Sequence, residues 1–315
     1  MSIKTLQIFS LSRLLWLSIA LGAATGIYAA KTPAHAIGVM FCSFTMSNEA
    51  FGNVDVLPGA PFTTNAMLNI SCNGAAILPT TIFICISFPT AFTMQGPSTS
   101  TLNYQILGPP PATSPWSSTT ALALPVSGTI ASFTASGTFQ ISATLLGSQQ
   151  SALPGSYTQT ATANVAYDTT TCTSGLLNMT GSFSYTTTAT VVKSCYVNAS
   201  NLQFPSAGDL NSPISGQSEI DVQCSNGIGY TVGLNGGLSG ATDPTQRQMT
   251  FGTSFITYGL YQDMNHSMPW GSTANVASGT GTSISQPYPV YGLVPVQATP
   301  PIGTYSDTVV VSVAY

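Results

Sequence analysis

Charge is scarce in this sequence. Its 315 residues include only five lysines and arginines and nine aspartates and glutamates. Because no basic cluster is present to neutralise phosphates, nucleic acids and anionic membrane surfaces are not expected as partners. Solvated helices need charged faces, whereas strands and turns tolerate the abundant serine, threonine, glycine, alanine and valine. The composition therefore predicts an all-β protein.

Groups that carry out catalysis are scarce as well. The chain has two histidines, and only His266, in the polar segment QDMNHSM (262–268), lies outside the N-terminal region. A zinc site or a nucleophilic triad needs several such groups in one place. The acidic residues are spread over predicted strands and turns. We therefore expect no enzyme activity, no metal site and no cofactor.

The N-terminus has the features of a secretory signal peptide. Lys4 and Arg13 precede the apolar run at 14–24, and Ala34-His35-Ala36 offers a small-x-small cleavage site. We predict a signal peptide at 1–36, and cleavage after Ala30 is the alternative. The mature chain then keeps two basic residues against nine acidic ones, a formal charge of −7. No later stretch approaches the roughly 20 apolar residues of a membrane span, so export is expected without an anchor.

The cysteines point to structural disulfides. An even number in an exported protein predicts three bonds, for which six cysteines allow 15 connectivities. Two pairs have almost the same spacing, 30 residues for Cys42 and Cys72 and 29 residues for Cys195 and Cys224. Equal spacing favours these two bonds and leaves Cys85 with Cys172.

The chain repeats itself. SNEAF (47–51) follows the first cysteine as SNLQF (200–204) follows the fifth, and PWSST (115–119) matches PWGST (269–273). The segments GSYTQTATANVAY and GTYSDTVVVSVAY, at 155–167 and 303–315, share six of thirteen residues. Landmarks in the same order predict two copies of one domain. Because both copies carry the tryptophan, we interpret Trp116 and Trp270 as packing residues.

Apolar residues alternate with a period of two inside each copy. Val309, Val311 and Val313 show this alternation, and clusters of glycine, proline, asparagine and serine interrupt such runs every 8–12 residues. The pattern predicts an immunoglobulin-like β-sandwich for each copy. Soluble sandwiches usually guard their edge strands with lysine, and the mature chain has one lysine. We therefore expect one edge to be occupied by another strand.

Together these motifs resemble the spore coat protein U domain, a family that supplies subunits of archaic (Csu-type) chaperone/usher pili. The resemblance rests on two cysteines about 30 residues apart, an aromatic strand before Trp-Gly, and a terminal Gly-x-Tyr-x-Asp-Thr-Val-x-Val-x-Val-x-Tyr. It is close over 195–315. The first copy departs from it, with Gln159 in place of the aspartate and Ser117 in place of the glycine after tryptophan.

The resemblance implies assembly by donor-strand complementation, in which a sandwich that lacks one strand receives a strand from its neighbour. The implied partners are the next pilus subunit through its donor strand, a periplasmic chaperone and an outer-membrane usher. It also implies export through the periplasm to the cell surface. Two-domain members of such systems resemble tip adhesins that mediate surface attachment and biofilm formation. A non-adhesive structural fibre or coat subunit is the alternative.

The expected domains follow from the repeat and the resemblance. We assign 37–185 to an N-terminal adhesin-like domain, with 168–185 as linker and cis complementing strand. Residues 186–315 form a C-terminal pilin-type domain that lacks a strand. Only five residues, Ile37 to Phe41, precede the first cysteine, which is too short for a donor strand. By contrast, 176–194 has the length and alternation of a donor and could complete the first domain in cis, which favours a tip position.

Apolar loops distinguish the first copy from the second. The loop LGPPPATS (107–114) has lost the charges and amides of YQDMNHSM (261–268), and the segments 87–94 and 143–147 are also apolar. We expect these loops to gather at one end of the sandwich as an exposed patch that binds a biotic or abiotic surface. The expected patch residues are Phe88, Phe92, Leu107, Pro109, Pro110, Leu145 and Leu146.

Overall fold

The computed structural model describes residues 39–75, 79–89, 91–108, 115–116, 121–169 and 179–315. The predicted signal peptide, Pro109, Pro110 and Cys172 lie outside the described residues. Within the described part the chain forms 19 strands and one short 3-10 turn at Pro97–Thr99, so the all-β prediction is confirmed. That turn is far too short to cross a membrane, and the described residues contain no other helix.

The first copy contributes eleven strands. Side chains alternate between buried and exposed along most of them, as in β3, where every second residue from Ala66 to Cys72 is buried. This alternation is the sequence period of two seen as structure. The strands are β1 (Val39–Met46), β2 (Glu49–Val54), β3 (Phe62–Ala75), β4 (Thr81–Ser87), β5 (Thr93–Gln95), β6 (Thr101–Leu107), β7 (Ala121–Pro125), β8 (Ser127–Thr129), β9 (Ser132–Leu145), β10 (Gly155–Asp168) and β11 (Met179–Val191).

These strands form one curled sheet that closes over a single core. The hydrogen-bonded order is β1-β3-β9-β6-β5-β10-β11-β2, with β4 pairing β10 and β7, and β8 pairing β9. The two ends of this path, β1 and β2, contribute Phe44 and Val54 to the same apolar cluster. Phe44 also packs against Tyr167 of β10, with ring centroids 5.7 Å apart. The result is the predicted sandwich.

The second copy contributes eight strands in two sheets, of order β12-β13-β18-β16-β15 and β17-β14-β19. Its core contains the fully buried Trp270, whose Nε1 donates to the carbonyl of Val232 at 2.8 Å. Trp116 of the first copy packs partly buried against that copy's core, and its Nε1 donates to the carbonyl of Ile86. The packing interpretation of both tryptophans is confirmed. The strands are β12 (Cys195–Ala199), β13 (Ile214–Cys224), β14 (Gly229–Leu234), β15 (Arg247–Phe251), β16 (Ser254–Tyr261), β17 (Ala277–Thr280), β18 (Gln286–Val294) and β19 (Val311–Ala314).

The disulfides join neighbouring strands. Cys42 is bonded to Cys72 across β1 and β3, and Cys195 is bonded to Cys224 across β12 and β13. These are the two bonds that equal spacing favours. Cys85 is also disulfide-bonded. Its expected partner lies outside the described residues, so the third pairing stays a prediction.

The junction between the copies is short. β11 is continuous to Val191, so the expected domain boundary between 185 and 186 falls inside this strand, and only residues 192–194 separate it from β12. Asp55 Oδ2 accepts hydrogen bonds from Ser194 Oγ and Tyr196 Oη, both at 2.8 Å. Farther along, Asn226 Nδ2 donates to the carbonyl of Ser151 at 2.9 Å. The two copies therefore meet through specific polar contacts.

Candidate functional site

Strand β11, which precedes the second copy in the chain, completes the sandwich of the first copy. β11 pairs antiparallel with β10, from Gly155 opposite Val191 to Tyr167 opposite Met179, and parallel with β2 on its other side. Its alternate side chains point into the first core, and those from Phe183 onward are buried. The predicted donor segment 176–194 therefore acts in cis over the part that the structure describes. The inward-facing residues are Met179, Gly181, Phe183, Tyr185, Thr187, Ala189 and Val191.

The second copy has a groove at the same place. By the internal repeat, 303–315 corresponds to 155–167 of β10, and 200–204 corresponds to 47–51, where β2 begins. Between these two segments lies a cavity of about 610 Å³, and none of the described strands fills it. Apolar side chains on its wall include Leu202, Phe204, Ile220, Leu234, Leu260, Val290, Val309 and Val311.

Corresponding residues of the two copies differ in burial, and this difference shows where the second copy lacks a strand. Ala163, Val165 and Tyr167 of β10, which pairs with β11, are all buried. Their counterparts Val311 and Val313 are only partly buried, and Tyr315 is 55% exposed. Because the two segments are homologous, the difference is due to the missing cover of an adjacent strand. Covering this row would remove apolar surface from water, worth about 25 cal/mol per Å².

A satisfied carboxylate stands at the rim of the groove. Asp307 Oδ1 accepts from the backbone N–H groups of Leu238 and Thr308, and its Oδ2 accepts from Tyr258 Oη at 2.7 Å. Burial raises the pKa of Tyr258, and the hydrogen bond to Asp307 raises it further. This hydroxyl therefore stays neutral. With its carboxylate already bonded, the groove is suited to a strand that adds main-chain hydrogen bonds and apolar side chains, not to a charged ligand.

A buried arginine supports the groove, because one of the carbonyls that it binds belongs to the groove-lining Leu234. The guanidinium of Arg247 is fully buried and donates to the carbonyls of Leu234, Asn235, Pro244 and Trp270 at 2.6–3.0 Å. Burial lowers its pKa, but an arginine stays protonated under ordinary conditions. Sequence reasoning missed this residue. The available signal was a single arginine in a mature chain with almost no positive charge.

The described members of the expected surface-binding set do not form one exposed patch. Leu145 is only 1% exposed because it faces inward at the end of β9, so its place in a patch was wrong, whereas its neighbour Leu146 is exposed. Phe88 is partly buried and packs edge-on against Trp116 and Tyr185, with centroids 5.4 and 5.6 Å apart. Phe92 packs against Tyr104, and Leu107 is partly buried.

The segment at 143–147 also lies away from the free end of the first sandwich. Leu145 pairs with Phe62, and the loop that follows β9 reaches Ser151, which contacts the second copy. The opposite end carries the start of β1 and the hairpin between β8 and β9. Exposed apolar side chains are present there: Val39, Phe41 at 66% exposure, and Ile130 at 64%.

Comparison with known proteins agrees with this architecture. The family model of the Spore Coat Protein U domain matches residues 32–164 and 180–312. Protein U of Myxococcus xanthus is 32% identical over 117 residues, which are 34% of this chain and 63% of that protein, so the match spans less than two thirds of that relative.

A solved structure supports the same fold. It is the chaperone-tip adhesion subunit pre-assembly complex CsuC-CsuE from archaic chaperone-usher Csu pili of Acinetobacter baumannii. The TM-score is 0.57 at 18% identity, over 87% of this chain and 100% of that chain. At this identity the likeness concerns the fold.

Proposed function

The chain belongs to the spore coat protein U domain family, and we propose that it is the tip subunit of a chaperone/usher pilus. Domains of this family are structural and non-enzymatic. One observation carries the proposal: the first sandwich is filled by its own β11, while the matching groove of the second sandwich is open. The chain therefore presents one acceptor site for a partner strand.

A single open acceptor site is suited to the end of a fibre. An internal subunit must both accept a strand and donate one. Here the one segment with donor character is held in cis by two ladders of main-chain hydrogen bonds. The predicted cleavage after Ala36 leaves five residues ahead of Cys42, which are too few to donate. A subunit that accepts and does not donate belongs at the tip.

The free end of the first domain is the proposed attachment surface. Val39, Phe41 and Ile130 are exposed there, at the end of the sandwich away from the second domain. An apolar surface on a domain with few charges favours apolar biotic or abiotic surfaces, with attachment driven by burial at about 25 cal/mol per Å². Such attachment would support biofilm formation.

Assembly requires that the open groove be covered before a partner strand arrives. An uncovered apolar groove beside unpaired backbone is an aggregation hazard. A periplasmic chaperone that lends a strand would cover it, and an outer-membrane usher would direct the exchange with the next subunit. The expected route is export through the periplasm to the cell surface.

Labelling of isolated fibres tests the tip position. Antibody against this chain, conjugated to gold, should mark one end of each fibre. Label along the length of the fibre would contradict the proposal and favour the structural fibre or coat subunit. Deletion of the chain should remove the end label, which is the control for antibody specificity.

A further inference from the structure

A buried polar contact holds β11 in the first groove. Thr187 faces inward, is fully buried, and donates through Oγ1 to Oε2 of Glu49 at 2.7 Å. Glu49 is also fully buried and stands opposite Thr187 in the parallel ladder between β2 and β11. Apart from the hydroxyl of Tyr185, Thr187 is the only polar group among the inward-facing side chains of this strand.

The contact extends to a third element. Tyr104 Oη of β6 lies 3.0 Å from the same threonine oxygen. Thr187 has a single hydroxyl proton, which it donates either to Glu49 Oε2 or to Tyr104 Oη, and the contact to the carboxyl group is the shorter one. The other carboxyl oxygen, Oε1, has no hydrogen-bond partner among the described residues. The carboxyl group of Glu49 is therefore stabilised through Thr187.

We propose that the Glu49–Thr187 pair is the specificity determinant of the first groove, fixing the register of β11 and reserving that groove for it. A slip of two residues would place Tyr185 or Ala189 opposite Glu49. Alanine has no side-chain donor, and a tyrosine ring is far larger than the threonine it would replace. A foreign strand with an apolar residue at this position would leave a buried carboxyl group without a hydrogen bond, which is strongly disfavoured.

The second groove lacks this pair. Glu49 is the seventh residue after Cys42, and the seventh residue after Cys195 is Leu202, which lines the open groove. A strand that enters the second groove meets leucine where β11 meets glutamate. The two grooves therefore select different strands from the same fold. This inference rests on the strand pairing in the structure and not on the position of the subunit in a fibre.

The pair is sensitive to pH. Burial raises the pKa of Glu49 to about 7 from the ordinary 4.5, and the hydrogen bond from Thr187 opposes part of that rise. The folded state thus holds the proton more tightly than the unfolded state. The stabilisation is complete below about pH 4.5 and is lost as the pH rises through about 7.

No other group at this contact changes charge over that range. The ionisable neighbours are Tyr104 on β6 and Tyr185 on β11, and burial raises the pKa of both above the usual tyrosine range. On β10 the residue opposite Thr187 is Gln159. The adjoining β3 carries no ionisable side chain, because its one cysteine, Cys72, is disulfide-bonded.

Hydrogen exchange of the full chain tests whether the Glu49–Thr187 pair holds β11 in the first groove. Amide protection of β11, corrected for the intrinsic pH dependence of exchange, should fall tenfold or more between pH 5.5 and pH 8.5, with β13 as internal reference. Thr187→Val should lower the protection of β11 at both pH values, and more strongly at pH 8.5, because the hydrogen bond from Thr187 favours the charged form of Glu49. The matched control is Thr190→Val, which changes an exposed position on the same strand and should have no effect.

The double variant distinguishes a polar lock from simple packing. Glu49→Leu with Thr187→Val replaces both partners by apolar groups, so protection should return to within a few-fold of wild type and lose its pH dependence. The proposal is overturned if Thr187→Val behaves like Thr190→Val, or if the double variant is as poorly protected as Thr187→Val alone.

Binding in trans tests selectivity. A synthetic peptide of residues 179–191 and its Thr187→Val variant are titrated against the full chain, whose second groove is open. The variant should bind at least as tightly as the parent, because Leu202 requires no donor. Equal weakening in cis and in trans would overturn the inference. Failure of both peptides to bind would instead count against the proposed acceptor groove, and the exchange experiment would still decide the lock.

Discussion

Tyr258 donates a hydrogen bond to Asp307 across 2.7 Å, and this bond ties the rim of the open groove to strand β16 beneath it. Asp307 also accepts from two backbone N–H groups. In the first copy Gln159 replaces the aspartate, and its Nε2 donates to the carbonyl of Ala91. The carboxylate is therefore a feature of the groove that remains open.

Removal of this carboxylate should loosen the groove. Asp307→Ala leaves the buried Tyr258 hydroxyl without its acceptor, and we expect a loss of about 1–3 kcal/mol in stability. Asp307→Asn keeps an acceptor and should cost less. The measurement is urea unfolding of the full chain with a bound donor peptide, followed by the fluorescence of Trp270 in a Trp116→Phe background. Equal stability of the alanine and wild-type chains would contradict this role.

Arg247 should be essential to the second domain. Arg247→Met leaves four backbone carbonyls without their donor, and we expect a loss of about 3–5 kcal/mol. The matched control is Lys193→Met, which removes an exposed positive charge and should change stability by less than about 0.5 kcal/mol. Thermal unfolding of both variants measures the difference. If both lower the midpoint equally, net charge and not buried hydrogen bonding is responsible.

The two domains should differ in their need for help. Residues 37–192, exported to the periplasm, should fold as a soluble monomer because β11 fills their groove. Residues 193–315 should aggregate unless a chaperone or a fused donor strand is supplied, because their groove exposes apolar side chains. Size-exclusion chromatography of both fragments, with and without the donor, gives the answer. Equal solubility without help would contradict the scheme.

Attachment should depend on the free end of the first domain. Phe41→Ser and Ile130→Ser together should reduce surface attachment severalfold without changing the number of pili, because both side chains are exposed. Leu146→Ser is the matched control at the other end, and it also tests the remaining exposed member of the expected patch. Attachment should persist in high salt, since apolar burial is not screened. Loss of attachment only with Leu146→Ser would return the binding site to the segments at 143–147.

The third disulfide is expected to join Cys85 to Cys172. Non-reducing peptide mapping of the exported chain should recover the two described pairs and this one. Cys85 and Cys172 both changed to serine should lower stability by about 3–5 kcal/mol, because the bond closes a long loop. A fragment that links Cys172 to any other cysteine would disprove the pairing.

Much of the fold follows from local sequence. A period of two, a sequence repeat and two cysteine pairs of nearly equal spacing can all be recognised without knowledge of the fold, and each predicted a feature that the structure contains. The donor character of 176–194 could also be read locally, because alternation over more than ten residues needs no knowledge of the partner strands.

Tertiary structure decided which residues face which partner. Leu145 and Leu146 are adjacent and chemically identical, yet one is buried and the other exposed, because strand register places neighbours on opposite sides. Glu49 and Arg247 are residue types that usually lie at the surface. Glu49 is buried where β2 pairs with β11, and Arg247 of β15 is buried where it donates to the carbonyl of Trp270. The sequence alone determined that the chain consists of two sandwiches and that the segment 176–194 has the character of a donor strand. Glu49 and Thr187 are 138 positions apart and meet only in the tertiary structure, where their hydrogen bond joins β11 to β2 of the first sandwich.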